Sequence, residues 1–366
     1  MLLHIYFAGK FAKNFAITLI IFIIFMLLID TIEQLRKFAV SIDYIEIFFL
    51  ALLNLPGSVY QVLPLIIILS SAWTFLSLAR NSELIVFRAA GKSSISMLVS
   101  PAILSLLIGI LTISSFNPIV ASTSKKYADV KSRLIDGQET TISIGNEGLW
   151  LRQADETGHT VIRAKRANSD ATELYEVTLI KLSDDKLPIS RIEAEILTLN
   201  NSMWTAKNSI IWPINYGLNS HSNVKELSLV EIPTSLKKEQ ITDQFGDPST
   251  ISLWSLPEFI GQLEQAGFSA NRYSVWFQSE LSKPVFFLAM MLISAAFCMR
   301  QSRVRGTSLN VMAAVLVGFL LFYSSNFVLI LGINGQLPAL IAAWGPSFAA
   351  LFISLGLFLN LSLIHI

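Results

Sequence analysis

The sequence predicts an α-helical membrane protein in which six apolar helices, in two groups of three, flank one inserted all-β, jellyroll-like domain. Hydrophobic residues make up 53% of the 366 residues and charged residues only 14%, whereas soluble domains carry about 25% charged residues. Uncharged stretches long enough to cross a bilayer recur near both ends of the chain. Between them, a polar segment alternates at strand period and predicts the β domain.

Composition also excludes several classes of function. The formal net charge is +1, so nothing indicates binding to nucleic acid. The single cysteine, Cys298, rules out an intrachain disulfide or a thiolate metal site. The four histidines are scattered and show no metal-ligand spacing. We therefore expect no metal, no cofactor and no catalytic residues.

The first group of spans lies before about residue 122. Span one is predicted at about 12–30, and we read it as a retained span because no small-x-small cleavage site follows it. From Glu46 to Arg80 no intervening residue is charged, which is too long for one simple span. Pro56-Gly57 is expected to divide this stretch, because proline lacks a backbone N–H.

That division predicts an interfacial segment at about 44–55 and span two at about 57–79. Span three is predicted at about 96–118. The second group of spans is predicted at about 282–299, 308–331 and 338–360.

Glu280 and Lys283 read as an i,i+3 pair at the beginning of span four, next to Pro284. No predicted span carries a charge near its middle, which argues against an intramembrane proton relay. Spans without charged residues near their middles are compatible with a large apolar or amphiphilic cargo handled between the helices.

Basic residues in short loops give the orientation. Lys10 and Lys13 precede span one, and further basic residues lie between spans two and three and between spans four and five. The opposite short loops hold only Arg36 and Lys37. Both termini are therefore expected in the cytoplasm and the central domain outside it.

The central segment 123–275 holds 16 Lys and Arg and 20 Asp and Glu, a formal charge of −4. Its predicted strands are separated by turn residues such as Gly145-Asn146 and Leu187-Pro188. They cover about 141–144, 160–163, 175–180, 192–199 and 204–212. From 256 to 266 the apolar period lengthens towards 3.6 residues, which predicts a short helix leading back to the membrane. The expected domains are 1–122, 123–275 and 276–366.

The cytoplasmic connection at 80–92 has the features of a short amphipathic helix. Asn81 or Ser82 can cap its start, and Glu83 suits the positive end of the helix dipole. Apolar Leu84 and Phe87 accompany charged Glu83 and Arg88. One reading is a helix lying on lipid headgroups, and the other is a helix docked on a cytoplasmic partner.

Ala90-Gly91-Lys92-Ser93 resembles the end of a phosphate-binding loop. Val86 stands where the first glycine of that loop is needed. No strand is predicted before this stretch, so we expect no ATP binding by this chain.

The outer end of span one carries Asp30, Glu33, Arg36 and Lys37. Their spacing of three or four residues allows ion pairs on one helix. The basic side chains either anchor the span at the interface or contact an anionic lipid headgroup, for which arginine offers a matching fork of donors.

Several stretches of the chain resemble the lipopolysaccharide export permeases of the LptF/LptG type, and the resemblance runs nearly end to end. It is carried by Leu78 to Gly91, Glu147-Gly148-Leu149-Trp150, Gly267 to Trp276 with Arg272-Tyr273, Leu337-Pro338-Ala339 and Trp344-Gly345-Pro346. The Arg272-Tyr273 region and the closing spans are more similar to the LptG member than to LptF.

The resemblance implies six spans, a periplasmic β-jellyroll after the third span, and a place in the bacterial inner membrane. It also implies a set of partners: a paired LptF-like permease, a cytoplasmic LptB-like ATPase dimer, a single-span periplasmic LptC-like protein, and lipopolysaccharide itself. ATP hydrolysis is then expected on the separate ATPase subunit.

In the same family the helix between spans two and three docks on the ATPase. The resemblance therefore makes 80–92 a coupling helix, with Glu83, Leu84, Phe87 and Arg88 as its expected contact residues. Arg36 and Lys37 match basic residues that meet the lipid A phosphates, whereas Asp30 stands where many relatives carry a lysine.

The function expected from all this is a permease subunit of an ABC transporter. It would extract lipopolysaccharide from the inner membrane and pass it to a periplasmic bridge toward the outer membrane. The alternative from another class is a membrane-anchored structural or receptor protein whose periplasmic domain binds a partner.

Overall fold

A computed structural model gives the fold, and it divides the chain into two compact units. The helical unit comprises Met1–Ala128, Ser249–Leu253 and Asn271–Ile366, and the β unit comprises Asp129–Pro248 and Trp254–Ala270. The structure describes residues 2–38, 43–81, 83, 87, 89, 94–135, 141–145, 148–155, 158–168, 172–183, 187–200, 203–214, 224–234, 247–299 and 307–363.

Six helical stretches of the described chain are long and apolar enough to cross a membrane, as predicted. The first group consists of α1 (Leu2–Phe38), α2 (Tyr44–Arg80) and a third stretch in which a π-helical turn, Thr112–Phe116, joins α3 (Ser94–Leu111) to α4 (Asn117–Ile135). The short α5 (Leu256–Gln265) belongs to the β unit. The second group consists of α6 (Asn271–Cys298), α7 (Thr307–Ile333) and α8 (Ala339–Leu363).

Helix α2 corrects the expected break at Pro56-Gly57. The helix is continuous from Tyr44 to Arg80 and contains both Pro56 and Pro64. Membrane helices tolerate proline because neighbouring helices and polar side chains satisfy the freed backbone groups. The predicted interfacial segment at 44–55 is therefore the first part of the same helix.

Helix α6 corrects the position of the Glu280–Lys283 pair. The helix begins at Asn271, so Glu280 and Lys283 are its tenth and thirteenth residues rather than its start. The i,i+3 pair itself is confirmed, with Lys283 Nζ 2.6 Å from Glu280 Oε1. Glu280 is fully buried, so α6 carries a charged pair within the helix.

The core of the helical unit is formed mainly by α2 and α6. Ile66, Ile67 and Phe75 of α2 are buried together with Phe287 and Met290 of α6. Small residues set how closely other helices approach this pair. At Gly109 of α3, an added Cβ atom would lie 2.5 Å from Pro284 Cα, so the two backbones touch.

The β unit contains one antiparallel sheet of seven described strands, each paired with the next along the chain. The strands are β1 (Thr141–Gly145), β2 (Gly148–Asp155), β3 (Gly158–Ala167), β4 (Glu173–Leu182), β5 (Pro188–Asn200), β6 (Met203–Pro213) and β7 (Lys225–Pro233). The inserted all-β domain is confirmed, and five strands match predicted ones. The sequence analysis did not single out β2 and β7.

One face of this sheet is apolar and buried, and the other face is polar. Leu151, Ile162 and Leu179 are buried and face one another across β2, β3 and β4. The period of two puts Arg163 and Thr178 on the opposite face, where they are paired in register. The alternation that predicted the strands is therefore the alternation of these two faces.

Helix α5 and the turn after it close the β unit. The helix buries Leu256 and Leu263, as its predicted period requires. At Gly267 the backbone has φ +87°, and an added Cβ would lie 2.0 Å from the Ala167 carbonyl oxygen. Only glycine fits there, because a side chain would clash with that oxygen. The Ala167 N–H also donates to the Ala266 carbonyl oxygen at 2.7 Å, which holds the two backbone segments together.

Candidate functional site

Glu83, the acidic residue of the predicted coupling helix, is tied to the first helix of the chain. It is helical in the structure. Its Oε1 accepts hydrogen bonds from Lys10 Nζ at 2.8 Å and from Asn81 Nδ2 at 3.2 Å, and Oε2 accepts one from the Tyr6 hydroxyl at 3.1 Å. About a quarter of the side chain, 26%, stays exposed. The carboxylate is thus held in place and remains accessible to a partner.

The charge of Glu83 is stabilised by these donors. Partial burial raises the pKa of Glu83, but the hydrogen bonds from Lys10, Asn81 and Tyr6 outweigh burial and hold the pKa below its usual range. Glu83 is therefore ionised at neutral pH. An ionised carboxylate is the form that recognises a basic side chain on a partner.

Phe87 points into the protein rather than outward. It is only 4% exposed, and its ring meets the Phe7 ring edge-on with centroids 5.3 Å apart. Phe87 therefore packs against α1 instead of offering a free apolar surface. Leu84 and Arg88, the other two predicted contact residues, lie outside the described residues.

At the other end of α1, the two predicted headgroup residues differ from each other. Lys37 Nζ lies 2.5 Å from Glu33 Oε1 in an exposed i,i+4 pair. Arg36 is exposed and has no ion-pair partner in the described part of the chain. Exposed pairs of this kind are worth only about 0.3–0.5 kcal/mol, so an incoming phosphate can displace Glu33.

Asp30 does not belong to this exposed cluster. It is only 5% exposed and accepts a hydrogen bond from the Ser58 hydroxyl at 2.9 Å. Ser58 in turn accepts from Asn54 Nδ2 at 3.2 Å. Asp30 therefore joins α1 to α2, which is a different role from the headgroup contact of a lysine at this position.

A further contact near the exposed cluster was missed by the sequence analysis. Gln34, which is 1% exposed, donates through Nε2 to the Tyr127 hydroxyl of α4 at 2.9 Å. The bond joins the last part of α1 to α4. Helical spacing identifies the face of one helix but not the helix that it meets, so the sequence held no signal for this pairing.

The buried Glu280–Lys283 pair forms the centre of a second cluster. Glu280 Oε2 accepts a hydrogen bond from the Tyr60 hydroxyl, and Asn117 Nδ2 lies 3.5 Å from the same oxygen. Asn117 Oδ1 accepts from the backbone N–H of Leu253 at 2.9 Å. The cluster therefore joins α2, α4 and α6 inside the helical unit. No group of three or more His, Cys, Asp or Glu residues that could hold a metal occurs among the described residues.

Comparison with known proteins agrees with the fold. The chain is 21% identical to the lipopolysaccharide export system permease protein LptG of Haemophilus influenzae, over 81% of this chain and 80% of that protein. It is 22% identical to the protein of the same name from Escherichia coli strain K12, over 94% of this chain and 96% of that protein. These relatives confirm the resemblance to LptG.

The model of the family described as "Lipopolysaccharide export system permease LptF/LptG" matches residues 5–360. That range covers the six described membrane helices, except for the first residues of α1 and the last residues of α8, and the whole β unit. The chain therefore belongs to the LptF/LptG family of lipopolysaccharide export permeases and is a multi-pass protein of the bacterial inner membrane.

Proposed function

We propose that this chain is the LptG-like permease subunit of an ABC transporter that extracts lipopolysaccharide from the outer leaflet of the inner membrane. Its partners are a cytoplasmic LptB-like ATPase dimer, a paired LptF-like permease and a single-span LptC-like protein. The cargo passes to a periplasmic bridge toward the outer membrane. The family match over residues 5–360 is the observation that supports this proposal.

Energy enters through the segment that contains Glu83. Its ionised carboxylate is partly exposed, and Lys10 and Phe87 hold it against α1. A basic side chain of the ATPase would pair with Glu83, and a movement of the ATPase would then be transmitted to α1 and α2. Such a link is necessary because each buried CH₂ of an acyl chain is worth about 0.8 kcal/mol, so extracting several chains costs on the order of tens of kcal/mol.

Cargo recognition begins at the opposite end of α1. Arg36 is exposed, and Lys37 forms an exposed ion pair with Glu33. Both can contact a phosphate on lipid A, with Arg36 offering two parallel donors. In this arrangement both chain termini and Glu83 face the cytoplasm, whereas Arg36 and the β unit face the periplasm.

Two experiments test the proposal. Affinity purification of the tagged chain from membranes is expected to recover an ATPase and a second permease. Cysteine labelling from outside spheroplasts tests the orientation, since the native Cys298 is buried. Lys165→Cys in the β unit is expected to be labelled and Asn81→Cys to be protected. The reverse pattern, or purification without any ATPase, would contradict the proposal.

A further inference from the structure

Between β7 and α5 the chain returns briefly to the helical unit. Residues Ser249–Leu253 belong to that unit, although Pro248 before them and Trp254 after them belong to the β unit. The end of this segment is anchored, because the backbone N–H of Leu253 donates to Asn117 Oδ1 at 2.9 Å. Leu253 is 2% exposed and Asn117 is 3% exposed. The position of Leu253 is therefore fixed by a buried hydrogen bond to a membrane helix.

The depth of this anchor in the bilayer follows from α2. Asn117 Nδ2 donates to the Tyr60 hydroxyl at 3.3 Å, and Tyr60 lies on the same continuous helix as Arg80. At about 1.5 Å per residue, the helix rises about 30 Å from Tyr60 to Arg80, which equals the thickness of the hydrocarbon core. The sequence has no charged residue between these two positions. Since Arg80 marks one edge of the hydrocarbon, Tyr60 and Asn117 lie near the other edge.

Two tryptophans of the helical unit lie near the same level. Glu280 of α6 accepts a hydrogen bond from the Tyr60 hydroxyl, and Trp276 precedes Glu280 by about one helical turn. Trp344 of α8 donates through Nε1 to Gln278 Oε1 at 3.0 Å. Tryptophan and tyrosine are enriched where the bilayer meets water. These aromatic residues therefore agree with an interface at the level of the Asn117–Leu253 bond.

Trp254 is held at this level by its neighbour in the chain. Its Cα lies about 3.8 Å from that of the anchored Leu253. With 67% of its surface exposed, Trp254 is the most exposed of the seven tryptophans. An indole has a large apolar body and one N–H donor, which suits a place that is apolar on one side and wet on the other.

The surroundings of Trp254 favour a lipid over a protein partner. Ser255 and Glu258, which follow it, are exposed and polar, so the apolar surface of the ring does not continue along this described segment. A stable protein contact buries about 800 Å² on each partner, much more than one ring provides. A single amphipathic ring is sufficient to contact the bilayer interface.

We propose that Trp254 inserts into the headgroup region of the bilayer and holds the chain before α5 at the membrane surface. The ring lies among the headgroups, and its N–H donates to a phosphate or ester oxygen of a lipid. Asn117 and Trp254 then fix the two sides of one peptide bond, the first through the protein and the second through the membrane. This inference goes beyond the proposed function, because it requires neither the cargo nor an ATPase.

Fluorescence quenching in liposomes tests the proposal. The full chain is reconstituted in phosphatidylcholine that carries bromine at either the headgroup end or the methyl end of its acyl chains. The emission of one tryptophan is the difference between the wild type and a variant with phenylalanine at that position. Trp254→Phe, Trp73→Phe and Trp150→Phe give matched differences, since these tryptophans are 67%, 45% and 38% exposed.

The three tryptophans should differ in what quenches them. Bromine at the headgroup end should quench Trp254 at least twofold more strongly than bromine at the methyl end. Trp73, about 10 Å along α2 from Arg80, should show the opposite order. Trp150 of β2 should be quenched only by iodide in the water.

Three results would overturn the proposal. Quenching of Trp254 by iodide alone would place the ring in water. The order seen for Trp73 would place it in the hydrocarbon. Protection from bromine and iodide alike, in the chain alone or in the copurified assembly, would assign Trp254 to a protein contact.

Hydrogen exchange of a peptide covering 249–255 distinguishes an anchor from a passive surface residue. In liposomes, Trp254→Ala should raise its exchange roughly tenfold because local opening becomes easier. Trp254→Tyr keeps an interfacial ring and should stay within threefold of the wild type. Asn117→Ala removes the acceptor of the Leu253 N–H and should also raise exchange, whereas Trp150→Ala should not. Unchanged exchange in Trp254→Ala, beside faster exchange in Asn117→Ala, would reject the anchor.

Discussion

Lys10 and Glu83 lie 73 positions apart in the chain and form an ion pair with 2.8 Å between Nζ and Oε1. The pair joins the first part of α1 to the short segment after α2. Because α1 carries Arg36 and Lys37 at its other end, the same helix has the proposed energy input at one end and the proposed cargo contact at the other.

Glu83→Gln is expected to reduce ATP-driven lipopolysaccharide release at least tenfold, because the amide removes the charge offered to the ATPase. Lys10→Met is the matched control. It breaks the internal ion pair but leaves the Glu83 carboxylate and the contacts of Tyr6 and Phe7 of α1 with Glu83 and Phe87, so release should fall by less than threefold. The assay is release from proteoliposomes that contain the assembled complex. If Lys10→Met is as severe as Glu83→Gln, the role of Glu83 is internal.

The lowered pKa of Glu83 makes a prediction about pH. A carboxylate whose pKa is depressed contributes its ion pair above that pKa and loses the contribution as the pH falls through it. Association of the chain with its ATPase should therefore be constant from neutral pH down to the ordinary glutamate pKa of about 4.3. Binding measured by interferometry on immobilised permease checks this expectation. A loss of binding between pH 6 and pH 5 would contradict it.

Arg36→Ala is expected to weaken photocrosslinking of lipopolysaccharide near the outer end of α1 by about tenfold, the effect of one lost hydrogen-bonded charge. Lys37→Ala should have a smaller effect, because Glu33 already engages Lys37. Glu33→Gln releases Lys37 and should strengthen crosslinking. Equal crosslinking in all three variants would leave the cluster as an interface anchor only.

Asp30→Lys is expected to destabilise the protein rather than to restore a headgroup contact. Asp30 is buried against Ser58, and an unpaired buried ammonium there should cost about 3 kcal/mol. Asp30→Asn can still accept the Ser58 hydrogen bond and should stay within about 1 kcal/mol of the wild type. Thermal unfolding in detergent separates the two variants. A normal melting temperature for Asp30→Lys would show that the side chain can turn outward.

Gly109→Ala is expected to lower stability by about 1–3 kcal/mol, because its Cβ would lie 2.5 Å from Pro284 Cα. Gly356→Ala provides a control in another membrane helix, since no atom lies within 4 Å of the added Cβ there. That substitution should be neutral or slightly stabilising. Comparable losses in the two variants would show that the contact with Pro284 is unimportant.

The sequence predicted what depends on periodicity and composition. The six spans, the inserted β domain and the helix beginning at Leu256 all follow from apolar period and charge distribution. It misplaced features that depend on tertiary contacts. Pro56 was expected to end a helix that continues through it, and Glu280 was expected at the start of a helix in which it is buried.

The candidate site residues show the same difference between features that the sequence predicts and features that depend on tertiary contacts. Glu83, Arg36 and Lys37 were identified by residue type, position and resemblance, and the structure places all three with part of their surface exposed. The inward directions of Phe87 and Asp30 could not be read from the sequence, because they depend on Phe7 and Ser58, which come from other parts of the chain. Helical spacing gives no information on such distant partners.

The most direct test of the central claim is ATP-dependent release of lipopolysaccharide from proteoliposomes. These contain the chain together with its copurified ATPase, partner permease and single-span protein, and a soluble periplasmic acceptor is added outside. The proposed function predicts that lipopolysaccharide appears on the acceptor when ATP is supplied, and that Glu83→Gln reduces this transfer at least tenfold while the complex stays assembled. An assembled complex that hydrolyses ATP but transfers no lipopolysaccharide would contradict the proposed function.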